Sequence, residues 1–373
     1  MRSPFLEPIS LLFLSSLFAV SACGGGNSNN SSSGGSGGSA GSGGTGGSGG
    51  IQIQCQEPSQ LDVNGTWAAK VRMTVNLEGK AGAAVSLCPT VQTAEALLYM
   101  YLDVKQNASD PTRVDSMTPH VCSVTLPVVT GEVGGCNPKD LNFVSTQLQV
   151  LDPLRKAFPG IQLSPVTGTL GGTTPGASLT AEKLLFVAGS TAQGSSMPGW
   201  NTTDQACGGA TLGRANQCDT NCVSDCSTTS DDDSDNYPGI TLGVCGQSND
   251  DKQNGVKCNI DSPDHGGASI QGRAWLDLQI DPLLTGTVKS SCEVTGHVDA
   301  QILYNVLGAD VWLTGAPLAV TDAITSLPTF KVDPSSSSYR LLRIDGQHGS
   351  LNWSLAQDPV QACQAVLQHK NDF

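Results

Sequence analysis

Residues 61–77 read LDVNGTWAAKVRMTVNL, and the second part of this stretch decides the fold. Trp67, Ala69, Val71, Met73, Val75 and Leu77 alternate with Ala68, Lys70, Arg72, Thr74 and Asn76. Side chains of an extended strand point alternately to its two faces, so a period of two makes one face apolar and leaves the other wet. Half-buried strands belong to antiparallel sheet, because parallel strands are covered on both faces and read as unbroken apolar runs. The pattern recurs outward from this point. Leu98, Met100, Leu102 and Val104 alternate with Tyr99, Tyr101, Asp103 and Lys105, and Cys122, Val124, Leu126 and Val128 form another row. Further on come Ile270, Ala274, Leu276, Leu278 and Ile280, then Val294, Val298, Ala300, Ile302 and Tyr304, then Leu351, Trp353 and Leu355. These rows predict an all-β body over residues 51–373, an antiparallel β-barrel or a β-sandwich.

Helices are few. Asp358-Pro359 supplies a cap and a first-turn proline, and Val360, Cys363, Val366 and Leu367 then share a face, so a short C-terminal helix docked by a disulfide through Cys363 is expected. A second helical turn is expected at Pro153 to Phe158. Gly65-Thr66-Trp67, entering the first strand, resembles the Gly-x-Trp signature of lipocalins. That resemblance implies a barrel whose floor is closed by Trp67, stacked on a basic residue of the last strand, either Arg340 or Arg343. It also implies a small ligand held by the barrel, apolar or carbohydrate.

Between residues 199 and 267 the alternation disappears, and an irregular, cysteine-rich and acidic insert is expected. It holds Cys207, Cys218, Cys222, Cys226, Cys245 and Cys258. The spacing of Cys218, Cys222 and Cys226 is also compatible with zinc or iron-sulfur ligation, but in an exported chain disulfides are the expectation. From Asp219 to Asp264 there are 10 Asp against Lys252 and Lys257, so this segment carries −8 of the formal charge of −14. Inside it lies Asp231-Asp232-Asp233-Ser234-Asp235-Asn236-Tyr237-Pro238-Gly239. Asp231, Asp233 and Asp235 resemble the alternate-carboxylate calcium loop of EF-hands and thrombospondin type 3 repeats, which implies a structural Ca2+ ligated by these three and by the Tyr237 carbonyl. A hard cation needs several oxygens, and alternate carboxylates around a tight turn supply them. Asn236 stands where glycine is usual and tolerates the left-handed backbone. Leu242 occupies the position of the bidentate glutamate, leaving Asp219, Asp225 or Asp250 to complete the shell.

The N-terminus carries an address. Ile9 to Val20 is an apolar run of signal-peptide length, and Val20-Ser21-Ala22-Cys23 resembles the lipobox of bacterial lipoproteins. The resemblance implies a signal peptide over 1–22, a lipidated Cys23 as the first mature residue, and a membrane partner through that lipid. Gly24 in place of Asp implies the outer membrane. Residues 24–50 contain 14 Gly and 8 Ser with no charge and no large apolar side chain, too little to bury, and make a tether. Setting Cys23 aside, twelve of the 13 cysteines remain, an even number suited to disulfides.

Composition excludes a nucleic-acid partner: 19 Lys+Arg face 33 Asp+Glu, and no basic stripe exists to displace phosphate counterions. No catalytic motif is recognisable. His297 and Asp299 share a strand face and read as a solvated pair, Asp264-His265 precedes a Gly-Gly turn, and no nucleophile elbow occurs in the body. The expectation is a non-enzymatic envelope lipoprotein, a calcium-stabilised ligand-binding barrel or, alternatively, a structural or adhesive surface protein.

Overall fold

The computed structural model describes residues 53–132, 136–161, 163–201, 207, 218–260 and 268–373. The leader 1–22, Cys23, the tether to residue 50, Asp264 and His265 lie outside the described residues.

The chain begins its fold with β1 (Gly65–Glu78), passes the two-residue β2 (Ser86–Leu87), returns along β3 (Val91–Gln106) and turns into β4 (Arg113–Thr125). β5 (Val128–Glu132), β6 (Val144–Val150) and α1 (Asp152–Ala157) follow, then β7 (Val166–Leu170) and β8 (Ser178–Ala181). A long excursion comprises β9 (Phe186–Ala188), β10 (Ile240–Ser248), α2 (Asn249–Gln253) and β11 (Ile270–Ile280). β12 (Leu283–Ser290) and β13 (Glu293–Asp299) lead to β14 (Ile302–Leu313), β15 (Ala316–Pro317), α3 (Val320–Ser326) and β16 (Thr329–Val332). β17 (Ser338–Arg343) and α4 (Pro359–Gln368) end the chain's regular structure.

Eight of these strands close a barrel. β1, β3, β4, β7, β8, β12, β13 and β17 each pair antiparallel with the barrel strand before and after them, and β17 closes on β1, Trp67 opposite Arg343. The result is an up-and-down meander. Strand direction reverses at every turn, so the connections β1 to β3, β4 to β7, β8 to β12 and β13 to β17 all leave from the same end. Each of them contributes strands to a second sheet, ordered β15-β14-β11-β10-β6-β5-β2 with β9 on β11. At the opposite end the connections are short, only 107–112, 171–177 and 291–292. The second sheet therefore forms a cap over one barrel mouth, and its Ile240, Leu242, Leu276 and Ile280 join the same apolar core as Met73 and Val75 of the wall.

The alternation of β1 is realised with one exception: Trp67, Ala69, Val71, Met73, Val75 and Leu77 are buried and Lys70, Arg72, Thr74 and Asn76 are wetter, but Ala68, expected wet, is buried in the outer cluster with Trp353 and Cys363. An eight-stranded barrel has an interior just wide enough for side chains to fill, and here Trp67, Met100, Leu102, Leu284, Val294 and Leu341 fill it. A gap of about 20 Å³ remains beside Met73, Leu98, Met100 and Phe186, room for roughly one water. Gly286 and Gly296 face each other across β12 and β13 because the Tyr339 ring lies against them. A Cβ on Gly286 would stand 2.4 Å from the Tyr339 Oη, and one on Gly296 2.7 Å from the ring.

Three expected rows break where the chain leaves a sheet. In the row from Cys122 to Val128, Cys122 is an extra residue between Val121 and Ser123, opposite Met100 and Tyr99, which turns it to the outer face. β4 then ends at Thr125 before Pro127, and Val128 opens β5 in the cap, half exposed. The row from Val294 to Tyr304 is two strands, β13 in the barrel and β14 in the cap, parted at Gln301, whose N–H donates to Asp281 (2.7 Å). Leu351, Trp353 and Leu355 form no strand: a single bridge joins Asn352 to Asp345, and Ser354 takes a left-handed φ of 49°. The segment 199–267 also contains a regular element, β10, whose near-continuous burial on both faces hides any period of two.

The helical expectations are met at α1 and α4. The Asp358 carboxylate accepts from the Gln361 N–H (3.0 Å), and Cys363 is bonded to Cys122. α4 thereby covers the outer face of β3, where Tyr99 and Tyr101 are buried with Trp353 and Phe373 rather than wet. Six disulfides use the twelve cysteines: Cys55–Cys292, Cys88–Cys136, Cys122–Cys363, Cys207–Cys222, Cys218–Cys226 and Cys245–Cys258. The Cys218, Cys222 and Cys226 spacing thus serves two interleaved bridges.

Candidate metal centre and open cleft

At the closed floor of the barrel, Arg343 is the basic residue that reaches Trp67, its guanidinium 6.0 Å from the ring centroid. It is buried, and its Nε donates to Asp345 (2.9 Å) while Nη1 donates to the Asp62 carbonyl (3.0 Å). Arg340 instead pairs with Glu293 (2.7 Å). The Trp67 Nε1–H donates to the Val63 carbonyl (3.0 Å), so no polar group of that ring is left unmet.

The acidic loop sits on the cap. It is clipped at its base, where the Gly239 N–H donates to the Ser230 carbonyl (2.7 Å) and the Ser230 N–H to the Gly189 carbonyl (3.0 Å). Ser234, Asn236 and Gly239 adopt φ values of 56°, 70° and 90°, which fold the loop back on itself. Asp231 accepts the N–H groups of Asp235 (3.1 Å) and Asn236 (3.0 Å), and Asp235 accepts that of Tyr237 (2.9 Å). Asp232 turns away to accept the Gly189 N–H (2.6 Å). The Tyr237 ring stacks on the buried Trp275, centroids 4.6 Å apart.

This geometry brings one carboxylate oxygen each from Asp231, Asp233 and Asp235 within 4.8 Å of one another. Asp233 is the inner member, only 4% exposed. Its Oδ2 accepts the Thr241 N–H (2.8 Å), whereas its Oδ1 is buried with no hydrogen-bond donor. Burial first, and then the charges of Asp235 and Asp231, push its pKa up to about 7 against the opposing Thr241 bond. Three carboxylates at this separation repel unless a proton or a cation lies among them. Asp219, Asp225 and Asp250 are not part of this cluster. Asp219 accepts the Asn221 N–H, Asp225 accepts both N–H and hydroxyl of Ser227, and Asp250 lies in the first turn of α2.

A neighbouring acid was not foreseen. Asp277 is fully buried on β11. Its Oδ1 accepts the Asn305 N–H (2.8 Å), its Oδ2 has no partner, and burial raises its pKa to about 7. It shares the face of Trp275 and Gln279, a face that looks wet in sequence but is covered by the 189–200 segment: the Gln279 side-chain Oε1 accepts the Gly194 N–H and Asn305 Nδ2 donates to the Met197 carbonyl. His297 is exposed with Asp299, its Nδ1 3.3 Å from the Ser337 carbonyl.

An open cleft lies outside the barrel. It measures about 660 Å³ and runs between the edge of β14 and the edge of β16, lined by residues 300–306 and 329–332 together with Lys80, Trp200 and Ile324. Tyr304 and Phe330 meet edge to face at 5.4 Å, and the Tyr304 hydroxyl donates to the Pro328 carbonyl (2.6 Å). The Lys80 ammonium donates to the Ile324 carbonyl (3.1 Å) and stands 5.9 Å from the Tyr304 ring centroid. Burial lowers its pKa, and among the described residues no carboxylate pairs with it. These residues come from distant segments, and no sequence spacing announces them.

No family model, curated protein or solved structure matches the chain. Among the described residues no helix is long and apolar enough to cross a membrane.

Proposed function

We propose that the chain is a lipid-anchored binding protein of the bacterial outer membrane, held there through Cys23, with the barrel as scaffold and the cap as the binding part. The cleft carries this reading: about 660 Å³ falls within the range of small-molecule sites, and its walls mix aromatic and aliphatic residues such as Tyr304, Phe330 and Ile302 with polar ones such as Lys80, Gln301 and Asn305. Calcium on Asp231, Asp233 and Asp235 is the structural cofactor of the same cap, supported by the unpartnered, buried Asp233 oxygen. The Tyr237 carbonyl and waters complete the shell in this reading.

The test is binding of a neutral fluorescent apolar dye, N-phenylnaphthylamine, to the purified chain. Saturable binding that Ile302→Trp abolishes by filling the cleft is expected; binding indifferent to that substitution would overturn the reading. A structural or adhesive role without a ligand is the second reading, favoured by the packed barrel interior, and a blank dye titration would leave it standing.

A further inference from the structure

Small apolar gaps lie behind the cleft. The cleft shares Ile302, Tyr304 and Phe330 with an inner gap of about 70 Å³ between the barrel mouth and the cap. That gap in turn shares Leu148, Ala274 and Leu327 with another of about 80 Å³ beneath α3. Apart from Tyr304, every side chain around the first gap is apolar, and around the second only Thr146 and Ser326 interrupt aliphatic residues. Walls of this kind offer no hydrogen-bonding partners along their length, which disfavours a sugar and suits a hydrocarbon chain. The rim has the opposite character. Lys80 is half-buried beside Tyr304, its ammonium held toward the cleft by the Ile324 carbonyl of α3, with no counter-charge among the described residues. Lys331, by contrast, is spent on Glu78 (2.8 Å).

Resting on the cleft being the binding site, we infer that its ligand is a single-chain amphiphile with an anionic head, a carboxylate on Lys80 and an acyl chain laid past Tyr304 and Phe330 into the apolar gaps. The gaps behind the cleft are small, about 70 and 80 Å³, which suits one chain rather than two, with the head left at Lys80. An ion pair formed at a partly desolvated ammonium is stronger than one in open solvent. Ile324 of α3 and Leu327 just after it line that side.

The experiment displaces bound N-phenylnaphthylamine from the purified chain with laurate, dodecanol and dodecyltrimethylammonium, each below its micelle-forming concentration. Laurate is expected to bind at least tenfold more tightly than dodecanol, and the cationic amphiphile least. Affinity should rise about fourfold per added methylene from octanoate to laurate. Lys80→Met should bring the laurate-to-dodecanol ratio close to one, and Lys80→Arg should keep most of it, with unfolding curves showing that both variants are folded. Equal displacement by all three amphiphiles, or an unchanged ratio in Lys80→Met, would overturn the anionic assignment. Dye that binds in the cleft but yields to none of them would overturn the amphiphile while leaving the cleft a binding site. Dye that never binds removes both.

Discussion

The barrel and its cap both bury hydrocarbon but differ in the polar groups they bury with it. Inside the barrel the buried side chains are almost all hydrocarbon, and Tyr339 Oη is the buried side-chain atom there without a hydrogen-bond partner among the described residues. The cap buries Asp233, Thr241, Gln271 and Asp277, and orphan atoms cluster there: Thr146 Oγ1, Ser230 Oγ, Asp233 Oδ1, Thr241 Oγ1 and Asp277 Oδ2. Burying an unmet polar atom costs on the order of 1–3 kcal/mol, so the cap needs something else to hold it. Its bridges are shorter, Cys207–Cys222, Cys218–Cys226 and Cys245–Cys258 spanning 15, 8 and 13 residues and Cys88–Cys136 spanning 48. The barrel's bridges Cys55–Cys292 and Cys122–Cys363 span 237 and 241 residues. The scaffold is tied globally, the binding part locally.

The largest effect should come from untying the long bridge. On the chain-entropy account, closing 241 residues is worth about 5 kcal/mol and closing 8 residues about 2.5 kcal/mol. Paired Cys122→Ser and Cys363→Ser should therefore cost roughly twice as much in denaturant unfolding as paired Cys218→Ser and Cys226→Ser. Equal costs would remove the distinction between global and local ties. Next comes the barrel floor. Trp67→Ala should lose about 3–5 kcal/mol by leaving a cavity. Arg343→Met should cost a similar amount, because it leaves the Asp345 and Asp62 groups without their buried partner. Arg340→Met, at a partly exposed pair, should cost under about 1 kcal/mol.

The sequence made the barrel legible where one face was wet. β1 follows its alternation apart from Ala68, and Trp67 lies 6.0 Å from the Arg343 guanidinium. The cap was hidden because β10 is covered on both faces, and because the chain passes from β13 to β14 without losing the phase of its apolar residues. Asp231, Asp233 and Asp235 stood out as a local pattern, since a loop's ligands are neighbours in the chain. Asp277 did not: its burial depends on the 189–200 segment lying over β11. The same holds for Lys80, Trp200, Tyr304 and Phe330, which only the closure of two sheets brings to one cleft.

A smaller effect follows from Asp277. Its pKa of about 7 means that the folded chain keeps a proton the unfolded chain releases near pH 4. The stability it contributes is complete below about pH 4 and is lost as pH rises through about 7. In calcium-free buffer, unfolding temperature should therefore fall between pH 4.5 and pH 7.5, and Asp277→Asn should flatten that fall by one proton's worth. Asp277→Asn with an unaltered pH slope would show that the carboxyl titrates normally and that the cap is wetter than described.

A cation on Asp231, Asp233 and Asp235 would meet the unpartnered Asp233 oxygen in the cap, and calorimetric titration of calcium into the chelator-treated chain at pH 7.4 is the direct test. One site is expected, with a dissociation constant on the order of 10⁻⁴ to 10⁻³ M, abolished by Asp233→Asn and unaffected by Asp225→Asn. No saturable heat, or heat that survives Asp233→Asn, would contradict it.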